Sequence, residues 1–310
     1  MTPPRFATIT LNASIDTAAT LPRLVPGEIN RLASARPAAG GKGNNVARVL
    51  ARLGHPVVAT GFAGGHAGAF IADSLRASGV TPAFMAVPGE SRTCLTVVES
   101  ETGRVTEIRE PGDPVSASDG DAFLASVAER IGAAERVAIS GSLPPGLPAD
   151  YYAKLIEILH ASGRRVVLDT SGEPLRLALA AHPDAIAPNR DELADLVGPG
   201  GSDDHAIAAA SALVREHLGP KGCLMLTLGA SGAALVETDR VLRATPPPVE
   251  IANPVGAGDA LLAGWLAGGD DPAGALRLAV AVGTAAAMQP GIGEVDPADV
   301  ARILPTVEVS

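Results

Sequence analysis

Short apolar runs rich in β-branched residues alternate with helical patterns along most of the chain. The runs that we predict to be buried strands cover residues 6–11, 57–63, 136–140, 165–169, 185–188 and 223–228. Between them, apolar residues recur with helical spacing, as in 43–54 and 149–162. Strand, helix and strand in repetition imply parallel pairing through right-handed crossovers. The pattern therefore predicts an α/β fold in which helices flank a mostly parallel central sheet.

Two stretches depart from this alternation. Residues 14–36 and 92–109 have extended patterns, but no helix follows each strand. The second stretch predicts a hairpin with its turn near Glu101, Thr102 and Gly103. We expect these strands to form a small β-sheet lid over the carboxyl ends of the main strands, where ligands of open α/β sheets bind. Since the chain has no internal repeat and no low-complexity linker, we expect residues 1–310 to form a single domain.

Charge and cysteine content argue against several classes of protein. The formal net charge is −10, so we expect no nucleic-acid partner, because an acidic surface repels phosphate backbones. Cys94 and Cys223 lie far apart in the chain, which argues against a disulfide framework and a zinc site. No apolar run approaches the ~20 residues of a membrane span. The N-terminal residues also lack a signal-peptide pattern, so we expect a cytoplasmic protein without a membrane partner.

The glycine-rich loops do not match three common fingerprints. A dinucleotide-binding motif read from Gly41 or Gly256 lacks its last glycine. Lys42 is not followed by Ser or Thr, so the first loop is not a Walker motif. The "GASG" run at 229–232 is one residue shorter than a nucleophile elbow. The sequence therefore disfavours the Rossmann, P-loop and α/β-hydrolase interpretations.

Four glycine-rich loops remain, each at the end of a predicted strand. They cover residues 38–48, 140–146, 227–232 and 253–260. If a helix begins near Gly258, the N–H groups of Ala257, Gly258 and Asp259 converge and would stabilise a transferring phosphoryl group. Asp259 would accept the proton of the attacking hydroxyl; at its reference pKa of ~3.9 it would be ionised but a weak base. The alternative is a helix N-terminal charge that only stabilises the fold.

These loops, in this order, resemble the PfkB (ribokinase-like) family of carbohydrate kinases, in particular its 1-phosphofructokinase and tagatose-6-phosphate kinase group. The matching motifs are "GGKGNNVAR", "VGAGDALLAG", "GEINR", "SGSLPPG" and "PNRDE". The resemblance implies a ribokinase-like three-layer sandwich with a small β-sheet lid. It also implies a kinase that uses ATP and Mg²⁺ to convert a ketohexose monophosphate, fructose 1-phosphate or tagatose 6-phosphate, to the bisphosphate. An exposed lid sheet predicts a homodimer that pairs through it.

The resemblance also implies roles for individual residues. Asp259 matches the catalytic base, and Gly256, Ala257 and Gly258 match the anion hole. The substrate-binding positions that it implies are Asp16, Gly40, Gly41, Lys42, Asn45, Arg92, Arg31 and Ser142. The nucleotide-binding positions are Asn189, Thr227, Gly229, Gly232 and Thr284. Asn189 and Glu192 match an N-x-x-E motif that organises Mg²⁺ through its waters.

The chain departs from the family pattern at two places that bear on function. Ala187 stands where the family often has a lysine, which removes a cation near the nucleotide. After Arg92, the run "TCLTVV" lacks the Asn and Lys that 1-phosphofructokinases often carry, which favours tagatose 6-phosphate. Three alternatives stay open: a fructose 6-phosphate kinase, a kinase of an unphosphorylated sugar or nucleoside, and a non-catalytic sugar-phosphate sensor. Arg92 argues against a neutral substrate, and Asp259 against a sensor.

Overall fold

Strands and helices alternate along the chain in a computed structural model that describes residues 4–310. The strands are β1 (Phe6–Thr10), β2 (Ser14–Leu21), β3 (Ser34–Gly40), β4 (Val57–Ala63), β5 (Thr81–Pro82), β6 (Met85–Ala86), β7 (Arg92–Glu99), β8 (Val105–Arg109), β9 (Arg136–Ser140), β10 (Arg165–Asp169), β11 (Ala185–Ile186), β12 (Cys223–Thr227), β13 (Ala233–Val236), β14 (Val241–Thr245) and β15 (Glu308–Val309). The α-helices are α1 (Lys42–Arg52), α2 (Gly65–Ala77), α3 (Ala117–Ile131), α4 (Tyr151–Ala161), α5 (Gly172–Ala178), α6 (Arg190–Val197), α7 (Asp203–Leu213), α8 (Ala257–Ala267), α9 (Pro272–Ala287) and α10 (Pro297–Ile303).

The large sheet is mostly parallel, which confirms the predicted fold class. Its strands lie in the order β15-β14-β13-β12-β11-β10-β9-β1-β4-β5, and β6 also pairs with β4. Every pair from β12 to β5 is parallel, whereas β12, β13, β14 and β15 pair antiparallel. The sequence pattern did not predict this antiparallel edge, because its short strands follow one another without the intervening helices that the pattern detects.

The predicted strands agree with the structure except near Pro188. The runs at 136–140 and 165–169 coincide with β9 and β10. The run at 185–188 was predicted to be a strand throughout, but β11 ends at Ile186. Pro188 has no N–H to donate to a ladder, and pairing resumes only as a single bridge between Asn189 and Thr227.

Two buried clusters cover the two faces of the large sheet. Alternate residues of one strand divide between them: Val167 packs with α1, α8 and α9, whereas Val166 and Leu168 pack with α3 and α4. This alternation follows from the period of two in a strand. The result is three layers, with helices above and below the sheet, as predicted. In residues 4–310, no helix combines the length and the apolar character that crossing a membrane requires.

A separate four-stranded sheet has the order β3-β2-β7-β8, in which β2 and β7 are parallel. Its strands come from the two segments that the sequence pattern set apart, and Gly103 adopts a left-handed conformation in the hairpin turn. The register places Asp16 beside Cys94 and Cys94 beside Arg109. Since residues that are paired across strands share a face, these three side chains lie abreast on one face of the small sheet.

Candidate active site

A polar cleft of about 240 Å³ lies between the carboxyl ends of the main strands and the small sheet. Its walls come from β2, β7 and β8, from the first residues of α1 and α8, and from the ends of β10 and β12. The predicted site residues that line it are Asp16, Gly41, Lys42, Asn45, Arg92, Asn189, Glu192, Thr227, Gly256, Gly258 and Asp259. The fold therefore gathers residues from distant parts of the chain at the edge of the sheet where ligands bind in such folds.

Helix α8 begins in this cleft, directly after a tight turn at Gly256. Gly256 has φ 82°, and a Cβ on it would lie 2.7 Å from the Gly293 nitrogen, so the turn requires glycine. The Ala257 N–H donates to the Pro254 carbonyl at 3.2 Å. The backbone N–H groups of Gly258 and Asp259 have no acceptor among residues 4–310. The predicted anion hole is thus open at Gly258 and Asp259, whereas the Ala257 N–H is already paired.

Asp259 lies in the first turn of α8, with 7% of its surface exposed. Its Oδ2 accepts a hydrogen bond of 2.8 Å from Asn45 Nδ2. Burial and the neighbouring Asp169 carboxylate raise the pKa of Asp259 to about 7, and Lys42 and Asn45 oppose this shift. The ordinary pKa expected from the sequence is wrong, because burial destabilises the ionised carboxylate. With a pKa near neutrality, Asp259 is a stronger base than expected.

Lys42 connects two carboxylates on the floor of the cleft. Its Nζ lies 2.9 Å from Asp169 Oδ1 and 3.0 Å from Glu192 Oε1. Burial alone would lower the pKa of Lys42, but Asp169, Glu192 and Asp259 outweigh it and hold the pKa above its ordinary value. Burial raises the pKa of Asp169, and Lys42 opposes this. Asp169 is not among the predicted site residues, although its position at the end of β10 could have indicated it.

Asn189 and Glu192 form a capping box at the start of α6. The Asn189 side chain accepts from the Glu192 N–H at 2.8 Å, and Glu192 Oε2 accepts from the Asn189 N–H at 2.9 Å. Glu192 Oε1 remains directed at Lys42. Among residues 4–310, no three or more His, Cys, Asp or Glu side chains are grouped so that they could bind a metal ion directly. The N-x-x-E spacing therefore has a structural role of its own.

Asp16 is fixed at the mouth of the cleft by two hydrogen bonds. Ser14 Oγ donates to its Oδ1 at 2.6 Å, and the Gly41 N–H donates to its Oδ2 at 3.3 Å. Gly40 does not line the cleft, but a Cβ on it would lie 2.0 Å from Asp16 Cγ. Gly40 thus provides the space that the Asp16 carboxylate occupies.

Two arginines of the small sheet face the same cleft. Arg92 donates from Nε to the Asn12 carbonyl at 3.2 Å and from Nη1 to the Glu110 carbonyl at 3.1 Å. Arg109 forms an ion pair of 2.5 Å with Glu107, which also lines the cleft. Arg109 is not among the predicted site residues, because its place beside Cys94 depends on the strand register. Alternation along β8 could have shown only that Glu107 and Arg109 share a face.

Two predicted substrate-binding residues do not line the cleft. Arg31 is exposed in the segment between β2 and β3. Ser142 is exposed and its Oγ accepts a hydrogen bond of 3.2 Å from Asn12 Nδ2. Ser142 is therefore linked through Asn12 to the backbone group that Arg92 contacts.

A second, more apolar cavity adjoins the cleft on the other side of the α8 N-terminus. The predicted nucleotide-binding residues Thr227, Gly229, Gly232 and Thr284 line it, as do Ala257 and Gly258. Thr227 and Gly258 border both spaces. The Thr284 hydroxyl donates to the Val280 carbonyl at 2.7 Å. Two spaces that meet at Gly258, next to the buried carboxylate of Asp259, are suited to phosphoryl transfer between two ligands.

Fold and site together define a kinase that phosphorylates a small hydroxyl compound. The chain matches the family model described as pfkB family carbohydrate kinase over residues 9–299, and it belongs to this family. It is accordingly an ATP-dependent carbohydrate kinase.

Relatives of known name support this assignment. A 1-phosphofructokinase of Rhodobacter capsulatus is 38% identical over 298 residues, which cover 94% of this chain and 92% of that protein. Phosphofructokinase-2 of Escherichia coli, solved in complex with substrates and products, has a TM-score of 0.90 at 30% identity, covering 97% of this chain and 99% of that one. Ribokinase of Arabidopsis thaliana has a TM-score of 0.76 at 22% identity, covering 98% and 99%, and shows the ribokinase-like fold.

Proposed function

We propose that the chain transfers the γ-phosphoryl group of ATP to a free hydroxyl of a ketohexose monophosphate, giving the bisphosphate. Fructose 1-phosphate is the first candidate acceptor, because the Rhodobacter capsulatus relative is a 1-phosphofructokinase. Tagatose 6-phosphate is the second candidate. The run "TCLTVV" after Arg92 favours it, because it lacks the Asn and Lys that 1-phosphofructokinases often carry there.

One observation carries the proposal: Asp259 and the two arginines of the small sheet, Arg92 and Arg109, line a single cleft. A guanidinium group can make two parallel hydrogen bonds to a phosphate. The protein as a whole carries a net charge of −10, so an anionic substrate must be held by local cations of this kind. A neutral sugar has no use for them, which argues against free fructose or a nucleoside as the acceptor.

The reaction follows from the groups around Asp259. The acceptor hydroxyl donates its hydrogen bond to the Asp259 carboxylate, and its oxygen attacks the γ-phosphorus as the bond to the leaving ADP oxygen breaks. Asp259 takes the proton. The free N–H groups of Gly258 and Asp259 stabilise the charge on the transferring group. Asp16 and Asn45 hold the other sugar hydroxyls, and the adjoining apolar cavity holds the nucleotide.

The acidic groups of the cleft floor fit a magnesium ion held through water. Asp169, Glu192 and the Asn189 side chain offer the oxygen ligands that Mg²⁺ prefers, but Lys42 already pairs with both carboxylates. Bound with ATP, Mg²⁺ would neutralise charge on the β- and γ-phosphates. Lys42 keeps the carboxylates in place and adds a fixed positive charge of its own.

We further propose that the small sheet acts as a lid and as a dimer interface. Closing it over the sugar excludes water and limits ATP hydrolysis. Ile108 of β8 alternates with Arg109, so it lies on the face opposite to the cleft, and it is 57% exposed. Ile29, in the segment between β2 and β3, is 87% exposed. Such a surface favours pairing with a second copy. Ile108→Asp should then produce monomers in sedimentation, whereas the control Val241→Asp should not; dimers that persist in Ile108→Asp would refute this interface.

The experiment that tests the proposed function identifies the product. The protein is incubated with Mg-ATP and one acceptor at a time: fructose 1-phosphate, tagatose 6-phosphate, fructose 6-phosphate or free fructose. Phosphorus NMR then distinguishes a bisphosphate from inorganic phosphate. Bisphosphate formation is expected. Binding of the sugar phosphates with no product from any of them would instead indicate a non-catalytic sensor.

A further inference from the structure

A cavity of about 310 Å³, separate from the cleft and from the apolar cavity beside it, opens at the opposite edge of the large sheet. Its mouth is formed where β9, β10 and β12 begin, and its inner wall is formed by the last turn of α8. We name it the basal pocket and define it by Arg136, Arg165, Lys221, Cys223, Trp265 and Leu266. Its volume is in the range of small-molecule sites. The kinase reaction uses none of its residues.

The floor of the basal pocket is apolar, with a single aromatic wall. Val167, Ala185 and Leu235 of the sheet lie opposite Trp265. Cys223 also belongs to the floor, and burial raises the pKa of its thiol to about 12, so it is uncharged. Trp265 is only partly buried, which leaves part of its ring available to a ligand. An exposed indole in a concave apolar space favours a flat apolar body.

The carboxylates of the basal pocket already have cationic or hydrogen-bonding partners. Asp270 pairs with Arg136. Asp184 Oδ2 accepts from His160 Nε2 at 3.0 Å and from the Val166 N–H at 2.8 Å.

The third carboxylate of the basal pocket is also engaged. Glu237 Oε2 accepts from Arg240 Nε at 2.7 Å. All three acidic groups of the lining are thus satisfied by the protein itself.

Two cations of the basal pocket have no such partner. Among residues 4–310, neither Arg165 nor Lys221 forms an ion pair with a carboxylate. The strand register aligns Val167 with Ala185 and Ala185 with Cys223. Arg165 is the first residue of β10 and Lys221 lies two residues before the start of β12, so both cations border the mouth of the basal pocket. Arg136 lies beside Arg165 in the register, but its charge is balanced by Asp270.

We propose that the basal pocket is a second binding site, which takes a small amphipathic anion. The apolar body of the ligand lies against Trp265, and its anionic group is held between Arg165 and Lys221. This complements the pocket in both respects, since the floor is apolar and the uncompensated charge at the mouth is positive. The site stands at the opposite end of α8 from Asp259, and it is independent of the phosphoryl-transfer chemistry.

Trp265 is the single tryptophan of the chain, so its fluorescence reports on this pocket directly. The probes are phenylacetate, 2-phenylethanol and phenethylamine, which share one apolar body and differ in charge. Phenylacetate should change the emission saturably, with an affinity at least ~10-fold higher than that of 2-phenylethanol. Phenethylamine should produce no saturable change. Equal affinities for the three probes, or no saturable change with phenylacetate, would overturn the proposal.

Substitutions then test whether Arg165 and Lys221 bind the anionic group of the ligand. The double variant Arg165→Gln/Lys221→Gln should weaken phenylacetate binding at least ~10-fold. Both side chains are exposed, so the fold should be unaffected, and an unchanged melting temperature would confirm this. The matched control is Arg36→Gln, which alters an exposed arginine of β3. If the double variant binds phenylacetate as the wild type does, the assignment is wrong. Since neither ATP nor sugar is present, the result does not depend on the kinase reaction.

Discussion

Asn45 Nδ2 lies 2.8 Å from Asp259 Oδ2, and this bond connects the first turn of α1 with the first turn of α8. Asn45 is 3% exposed, so the bond forms out of contact with bulk water. A donated hydrogen bond stabilises the ionised carboxylate and opposes the effect of burial on its pKa. The pair therefore sets both the position and the basicity of the group that we propose as the catalytic base.

Replacing Asp259 by Asn should abolish most of the turnover. The variant keeps the shape and the contact with Asn45 but cannot accept a proton. We expect kcat to fall at least ~10²-fold, with sugar-phosphate binding largely kept. Steady-state kinetics and a binding titration measure the two effects. Asp73→Asn, an exposed position on α2, is the control and should keep full activity. Unchanged turnover in Asp259→Asn would rule out the base assignment.

The activity of the wild type should rise with pH through neutrality. Since the pKa of Asp259 is raised to about 7, the carboxyl is protonated below that pH and cannot act as a base. We expect kcat/KM to increase between about pH 6 and 8 and then to level off. Asn45→Ala removes a group that favours ionisation, so its profile should move to higher pH. A profile of Asn45→Ala that coincides with that of the wild type would contradict this role.

The stability of the fold should also depend on the Asp259 carboxyl, but it should fall as the pH rises. The pKa of Asp259 is raised from 3.8 to about 7 in the folded chain. Its contribution to stability is therefore fully present below its unfolded pKa and is lost as the pH rises through 7. We expect Asp259→Asn to melt at a higher temperature than the wild type at pH 8, and we expect a smaller difference at pH 5. Thermal unfolding at both pH values measures this, and equal melting temperatures at pH 8 would count against it.

Gly258 and Gly256 should respond differently to substitution by alanine. A Cβ on Gly258 meets no atom within 4 Å, whereas a Cβ on Gly256 would lie 2.7 Å from the Gly293 nitrogen. Gly258→Ala should therefore keep or slightly raise the melting temperature, since alanine favours a helix by up to ~1 kcal/mol. It should still lower kcat at least ~10-fold, because the methyl group enters the space of the transferring phosphoryl group.

Gly256→Ala should lose both stability and activity, because φ 82° is strained for alanine. Gly201→Ala, at an open position, is the control for both variants. Full activity in Gly258→Ala would show that the N–H groups there do not approach a ligand closely.

Arg92→Ala and Arg109→Ala should weaken binding of the sugar phosphate selectively. Each loses a charge-assisted contact, so we expect the KM for the sugar phosphate to rise about 10- to 100-fold. The KM for ATP should change little, because the adjoining cavity holds the nucleotide. Arg36→Ala changes an exposed arginine of the same small sheet and is the matched control. If only the KM for ATP rose, the placement of the substrate phosphate beside Arg92 and Arg109 would be wrong.

Sequence patterns predicted most of the fold and only part of the site. Local sequence patterns are enough to predict the positions of β9 and β10 in the chain, the hairpin turn at Gly103 and the start of α8. Asp169 ends a predicted strand and could have been noted, but its contact with Lys42 depends on how distant strands and helices come together. Arg109 could not be placed, because its position beside Cys94 depends on the strand register. The pKa of Asp259 likewise depends on burial against residues far away in the chain, which one sequence does not give.

The central claim is that Asp259 acts on a sugar held by its phosphate. Its most direct test is kcat/KM for ADP release with Mg-ATP, compared between fructose 1-phosphate, tagatose 6-phosphate and free fructose at matched low concentrations. We predict a preference of at least ~10-fold for one of the phosphates over free fructose. Equal values for free fructose and the phosphates would contradict the claim, and would place the chain with kinases of unphosphorylated sugars.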